Sequence, residues 1–150
     1  MIAFGNITEV ESALGRDFGP TGWIILSQRN IDDFTRATSD SSRQLTASEV
    51  ASTHPSSTSG APEVLALALI PYFLGKLRRF EGSTMGINYG LDRVRLFGPV
   101  GVDSRVRARM SLRAVDRMGA AVQMTTRVTV EVENFQKPCC VADLISRIYW

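Results

Sequence analysis

One stretch constrains this chain more than any other. Ser59–Phe80, SGAPEVLALALIPYFLGKLRRF, is the segment long and apolar enough to be a central buried helix. Nearly every position from Val64 to Leu77 is Ala, Val, Leu, Ile, Tyr or Phe. A helix apolar around its whole circumference has to be enclosed rather than leaned upon. At about 1.5 Å per residue it spans roughly 25–30 Å, the width of a small sheet. Pro62 suits the first helical position, where a missing N–H costs nothing. Pro71 predicts a kink or a break into two helices.

The segments that follow change period from helical to two. Met85 to Phe97 is strand-like. From Ser104 to Leu112, Val106, Ala108, Met110 and Leu112 alternate with Arg105, Arg107, Arg109 and Ser111. From Val122 to Glu133 the alternation is cleaner, with valines and Met124 opposing Gln, Thr, Arg and Glu. Arg117-Met118-Gly119 fits a hairpin turn between these two strands, and Cys139 to Tyr149 supplies a last one. The expected product is an antiparallel sheet with one solvated face, wrapped around one long helix. This is an α+β arrangement of the hot-dog kind.

Upstream, residues 1–20 are mixed and end in the turn signal Gly19-Pro20. Trp23 to Ser27 is a short β-rich run, and Asn30 is placed to cap a helix over roughly 31–38. The segment from Asp40 to Gly60 is dense in Ser and Thr and predicts a loop, with a helical turn at 47–52. Long loops inside a compact domain are usually functional or mobile.

The 150 residues make one ordinary domain, large enough to bury a core without disulfides. A net charge of +2 gives no sign of nucleic-acid binding. Cys139 and Cys140, adjacent in a strand-like run, read as reduced packing residues on opposite faces. Too few ligands accompany them for a metal site, and there is no Gly-rich phosphate loop, so neither metal nor cofactor is expected. The first twenty residues carry Glu9, Glu11 and Asp17 with no apolar core, unlike a secretory signal. The long apolar run is broken by Pro71 and ends in Lys76, Arg78 and Arg79, too soon for a membrane span. A cytoplasmic protein is the expectation.

The residues also carry a resemblance. GINYGLDRVR (Gly86–Arg95), then Pro99-Val100, then SRVRAR (Ser104–Arg109) resemble the second-half signature of the MaoC-like dehydratases. That family includes the (R)-specific enoyl-CoA hydratases with a single hot-dog fold. FTRATSD (Phe34–Asp40) resembles its helix leading into the catalytic loop, and KPCCVADLISRIY its closing strand. The resemblance, from about residue 14 to 149, implies one hot-dog domain over 1–150 that pairs edge to edge as a homodimer. It also implies an acyl-thioester substrate carried by coenzyme A or an acyl carrier protein.

The family pattern places a His five residues after its Asp. Here Asp40 matches the Asp, but the fifth residue on is Leu45, and leucine cannot move a proton. The family's His-Gly pair at the start of its central helix corresponds to Pro62 and Glu63. Standard enoyl-thioester hydration is therefore not expected. Asp40, His54 and Glu63 remain as candidate proton-handling residues, His54 because it is the one histidine and titrates near neutrality. Leu45, Pro62, Asn88 and Tyr89 are the candidate substrate-binding residues, with Tyr89 expected to pack. Arg105, Arg107 and Arg109 are a solvated face that could also meet the phosphates of a carrier. The leading expectation is dehydration, isomerisation or cyclisation of an acyl or polyketide-like thioester by a single acid or base, in secondary metabolism. The alternatives are a thioesterase with Glu63 as base and a non-catalytic subunit of an active dehydratase.

Overall fold

The structure is a computed structural model that describes residues 1–38 and 60–150. The chain forms β1 (Ile2–Phe4), α1 (Ile7–Ser12), β2 (Asp17–Phe18), β3 (Ile24–Leu26) and α2 (Gln28–Thr38). After the undescribed segment come β4 (Gly60–Ala61), α3 (Glu63–Ala68), α4 (Ile70–Leu77), β5 (Arg78–Phe80) and β6 (Met85–Leu96). The chain ends in β7 (Val100–Gly101), β8 (Ser104–Met118), β9 (Ala121–Val132) and β10 (Cys140–Tyr149).

The main sheet runs β2-β8-β9-β10-β6, with β3 also paired to β8, and its pairs are antiparallel. Alternation built it. In β8, β9 and β10 the even-numbered residues Val106 to Leu112, Val122, Met124, Val128 to Val132, Cys140 to Leu144 and Ile148 face the core, and their odd neighbours face out. The β8–β9 hairpin turns over Gly119 and Ala120, where Gly119 takes φ +65°. Glycine enters that region at no steric cost, and this turn requires it at the first position.

The central helix breaks where Pro71 predicts. α3 ends at Ala68, Leu69 bridges, and α4 begins at Ile70 with the proline in its first turn. Pro62 stands one position earlier than expected, as the N-cap of α3 rather than its first helical residue. The expectation that the helix is enclosed on all sides is corrected. Leu65, Ala66, Ile70, Phe73, Leu74 and Leu77 are buried on the sheet, while Val64, Ala68, Pro71, Tyr72 and Gly75 are exposed. One sheet covers one side of a helix, so a fully apolar circumference leaves a bare stripe.

The inner face of the sheet carries two apolar clusters. One joins α3 and α4 to the middle of β8, β9 and β10. The other joins Phe4, Val10 and Ala13 of the N-terminal β1–α1 unit to Leu112, Val122, Met124 and Ile148. Where α4 ends, Arg78 is buried, donating to Thr126 Oγ1 (2.7 Å) and Ser146 Oγ (3.1 Å). A cation at a helix C-terminus meets the negative end of the dipole.

One element adds to the expectations and two further expectations are corrected. Residues 7–12 form α1, capped by Asn6 and closed by Glu9, which accepts from the Gly5 N–H. Helix α2 starts at Gln28, and Asn30 lies inside it, exchanging hydrogen bonds with Ser27 in a capping-box manner. Cys139 and Cys140 are both buried in one cluster rather than on opposite faces, because Cys139 precedes β10 and escapes its alternation.

Candidate active site

The helical stripe left bare by the sheet faces an apolar cavity of about 370 Å³. Val64, Leu67 and Pro71 wall it from the helix side, Leu144 from β10, and Asn88 and Leu91 from β6. That volume lies within the roughly 300–1,000 Å³ typical of small-molecule sites. A local irregularity shapes the β6 wall. Asn88 pairs with Ser146 and Gly90 with Ile145, which leaves Tyr89 without a partner position in β10. The resulting bulge re-aims the strand, so that Asn88 and Leu91 both reach the cavity.

Of the sequence-derived candidates, Asp40, Leu45 and His54 lie outside the described residues. Glu63 opens α3 half-buried; its neighbour Val64 lines the cavity and Glu63 itself does not. Among the described residues it has no ion-pair partner. Pro62 caps α3 and stands outside the cavity lining. Tyr89 does not pack in the core as expected. It is 57% exposed, and the Arg147 guanidinium lies 3.6 Å from its ring centroid. The strand arginines are engaged rather than free: Arg105 pairs with Glu133, and Arg107 and Arg109 share Glu131. They form a partly solvated, ion-paired face, in keeping with the solvated face expected of them.

Sequence reasoning missed Leu91 and Leu144. Leu91 sits in a strand of mixed composition, where the bulge at Tyr89 decides its facing, and Leu144 follows the alternation of the core residues of β10, where nothing separates cavity wall from core. Cys139 and Cys140 are no reactive pair: burial pushes their thiols up to about 12 and about 11.

A split central helix laid along the inner face of a long antiparallel sheet defines a hot-dog domain. Over 148 residues the chain is 37% identical to 3-hydroxyacyl-thioester dehydratase Z of Mycobacterium tuberculosis, covering 98% of each. It is 36% identical to nodulation protein N of Rhizobium leguminosarum over 146 residues, 95% of this chain and 91% of that one. The MaoC-like dehydratase from Rhodospirillum rubrum superposes with a TM-score of 0.66 at 12% identity, over 91% of this chain and 92% of that one. No family model matches the chain. The chain belongs to the MaoC-like hot-dog dehydratases.

Proposed function

We propose that this protein dehydrates a 3-hydroxyacyl or polyketide-like thioester, with the acyl chain lying in the cavity between α3, α4 and β6. The observation that carries the reading is the placement of an almost wholly apolar cavity directly behind the first turn of α3. The name of the mycobacterial relative, close in sequence over nearly all of both chains, supports the reaction class.

Elimination needs little from the protein. A base takes the Cα proton, the Cβ–O bond breaks, and the departing hydroxide takes up a proton to leave as water. One residue can remove the first proton and deliver it to the oxygen. Asp40, His54 and Glu63 are the candidates, with Leu45 in place of a second proton-handling group. Asn88, the polar side chain among the cavity-wall residues named above, would orient the thioester end.

The test is to follow enoyl absorbance with a 3-hydroxyacyl thioester, for wild type and for Asp40→Asn, His54→Ala and Glu63→Gln. We expect one substitution to lower kcat by about 10²–10⁴-fold while the melting temperature holds. Release of free thiol without enoyl formation, or inertness toward every chain length, would overturn the reading.

The active form is proposed to be a homodimer joined through β6. This strand is an edge twelve residues long, with Met85, Ile87, Tyr89 and Leu91 exposed and its outer side unpaired among the described residues. Light scattering should give a dimer for wild type and a monomer for Ile87→Glu; dimers from both would exclude this edge.

A further inference from the structure

A second cleft, unrelated to the apolar cavity, lies at the other end of the central helix. It has a volume of about 830 Å³ and forms where the loop after β2 passes over α4. Three aromatic rings line it, those of Phe18, Trp23 and Tyr72. Two cationic side chains line it, Arg16 and Lys76, and none of the described lining residues is acidic. Both cations are exposed, and neither has a carboxylate partner among the described residues. Each rests instead on a ring, Arg16 at 5.4 Å from the Phe18 centroid and Lys76 at 5.4 Å from that of Tyr72. A cation held by a ring face keeps its charge available to a ligand, whereas one held by a carboxylate does not. The sheet arginines differ in being paired with carboxylates: Arg105 and Arg107 also overlie the Trp23 ring, at 5.8 and 4.3 Å from its centroid, but with Arg109 they are held by Glu131 and Glu133.

The loop adds a steric observation. Gly22 lines the cleft, and a Cβ built there would meet nothing within 4 Å. Its neighbour Thr21 is pinned, donating its N–H to the Ala108 carbonyl and its hydroxyl to Gly22 O while accepting from Ala108 N–H. The cleft is thus an open volume beside a fixed loop rather than a gap between loose ends.

From this geometry we propose that the cleft binds a phosphorylated nucleoside, its base against the faces of the Tyr72 and Trp23 rings that Lys76 and Arg107 do not cover and its phosphates at Arg16 and Lys76. Rings alone would suit an apolar group, and cations alone any anion. Their alternation in one acid-free space suits a ligand with a flat π-surface at one end and phosphate at the other. Stacking holds any base by its flat face, and the charge contribution falls as salt rises. Two sources share this chemistry. A free nucleotide could dock as a regulator. Alternatively, the nucleotide could be the tail of the thioester's own carrier, a choice that rests on the acyl-thioester reading above. Lys76 follows Glu63 by thirteen residues, on the order of 20 Å along the helix, which leaves room for a long flexible arm between the nucleotide and the acyl group.

Adenosine diphosphate titrated into the full-length protein at low salt is the first arm. Saturable binding is expected, with affinity reduced at least tenfold by Lys76→Glu, by Arg16→Glu and by Gly22→Leu. The leucine changes no charge, and its position has no left-handed φ to strain it. Inorganic pyrophosphate should bind at least tenfold more weakly than the nucleotide. No saturable binding, binding untouched by all three substitutions, or equal affinity for pyrophosphate would overturn the proposal.

The second arm compares the same acyl group on coenzyme A and on pantetheine. If the nucleotide is the carrier's tail, Lys76→Glu raises KM for the coenzyme A ester alone and leaves kcat unchanged. If the nucleotide is free, neither KM moves while the first arm still responds. Inertness toward both esters together with intact nucleotide binding would refute the dehydratase reading and spare the cleft.

Discussion

Arg78 offers the sharpest test of how this core is held together. Its guanidinium is buried between the two apolar clusters with two hydroxyls, no carboxylate partner among the described residues, and the Phe80 ring 5.3 Å away. Burial lowers its pKa from 12.5 to about 10, which corresponds to about 3 kcal/mol of hydration lost on folding. The side chain stays charged at neutral pH, so its hydrogen bonds have to offset that loss. Thr126→Val keeps the side-chain shape and removes the acceptor at 2.7 Å. A hydrogen bond to a charged group contributes about 1.5–3 kcal/mol. In a protein of this size that is a fall in Tm of roughly 3–12 °C. Arg78→Met removes the charge and its desolvation cost but strands two hydroxyls, so its own effect should stay within about 2 kcal/mol. In the Arg78→Met background, Thr126→Val should cost less than about 1 kcal/mol, a coupling of about 1–2 kcal/mol. Thermal and urea melts of the four proteins measure it. Equal costs for Thr126→Val in both backgrounds would show that the hydroxyl does not support the charge, and the reasoning would fail.

Two further outcomes follow from local geometry. The Cys139 and Cys140 thiols titrate near 9 when unfolded and at about 12 and about 11 when buried, so the folded state retains protons that the unfolded state loses. Their contribution is complete below pH 9 and declines as pH rises toward 11–12, read as the stability difference from Cys139→Ala/Cys140→Ala. Thiol reagents at pH 8 should likewise label them only after unfolding, and fast labelling of folded protein would contradict this burial. Asn6→Ala removes the side-chain acceptor for the Glu9 N–H (3.0 Å) and should cost about 1 kcal/mol, roughly 2–4 °C in Tm, with an unchanged Tm counting against the cap.

The sheet was legible because three of its four long strands alternate almost without exception, and a period of two with one charged face admits few other folds. Helix α1 was legible too and went unread. Asn6 followed by Glu9 is a capping signal, but the six-residue helix behind it is too short for periodicity to stand out. Three things lay beyond the sequence. Which side of the apolar helix stays bare depends on how far the sheet extends, not on the helix. Which β6 residues face the cavity depends on one bulge at Tyr89, invisible in a strand of mixed composition. The cationic cleft draws on β2, the loop after it and α4, segments with no shared motif, so Arg16 and Lys76 read as ordinary surface charges until the chain brings them together.

The break between α3 and α4 divides two mechanical roles. The later piece is anchored through Ile70, Phe73, Leu74 and Leu77, whereas the earlier one contributes only Leu65 and Ala66 to the buried cluster. Leu67 and Val64, which bound the cavity, belong to the lightly held piece, while Leu144 on the opposite wall belongs to the rigid sheet. The helical wall met by a guest is therefore shared by two separately seated pieces, Val64 and Leu67 on one and Pro71 on the other, with Leu69 as the joint between them.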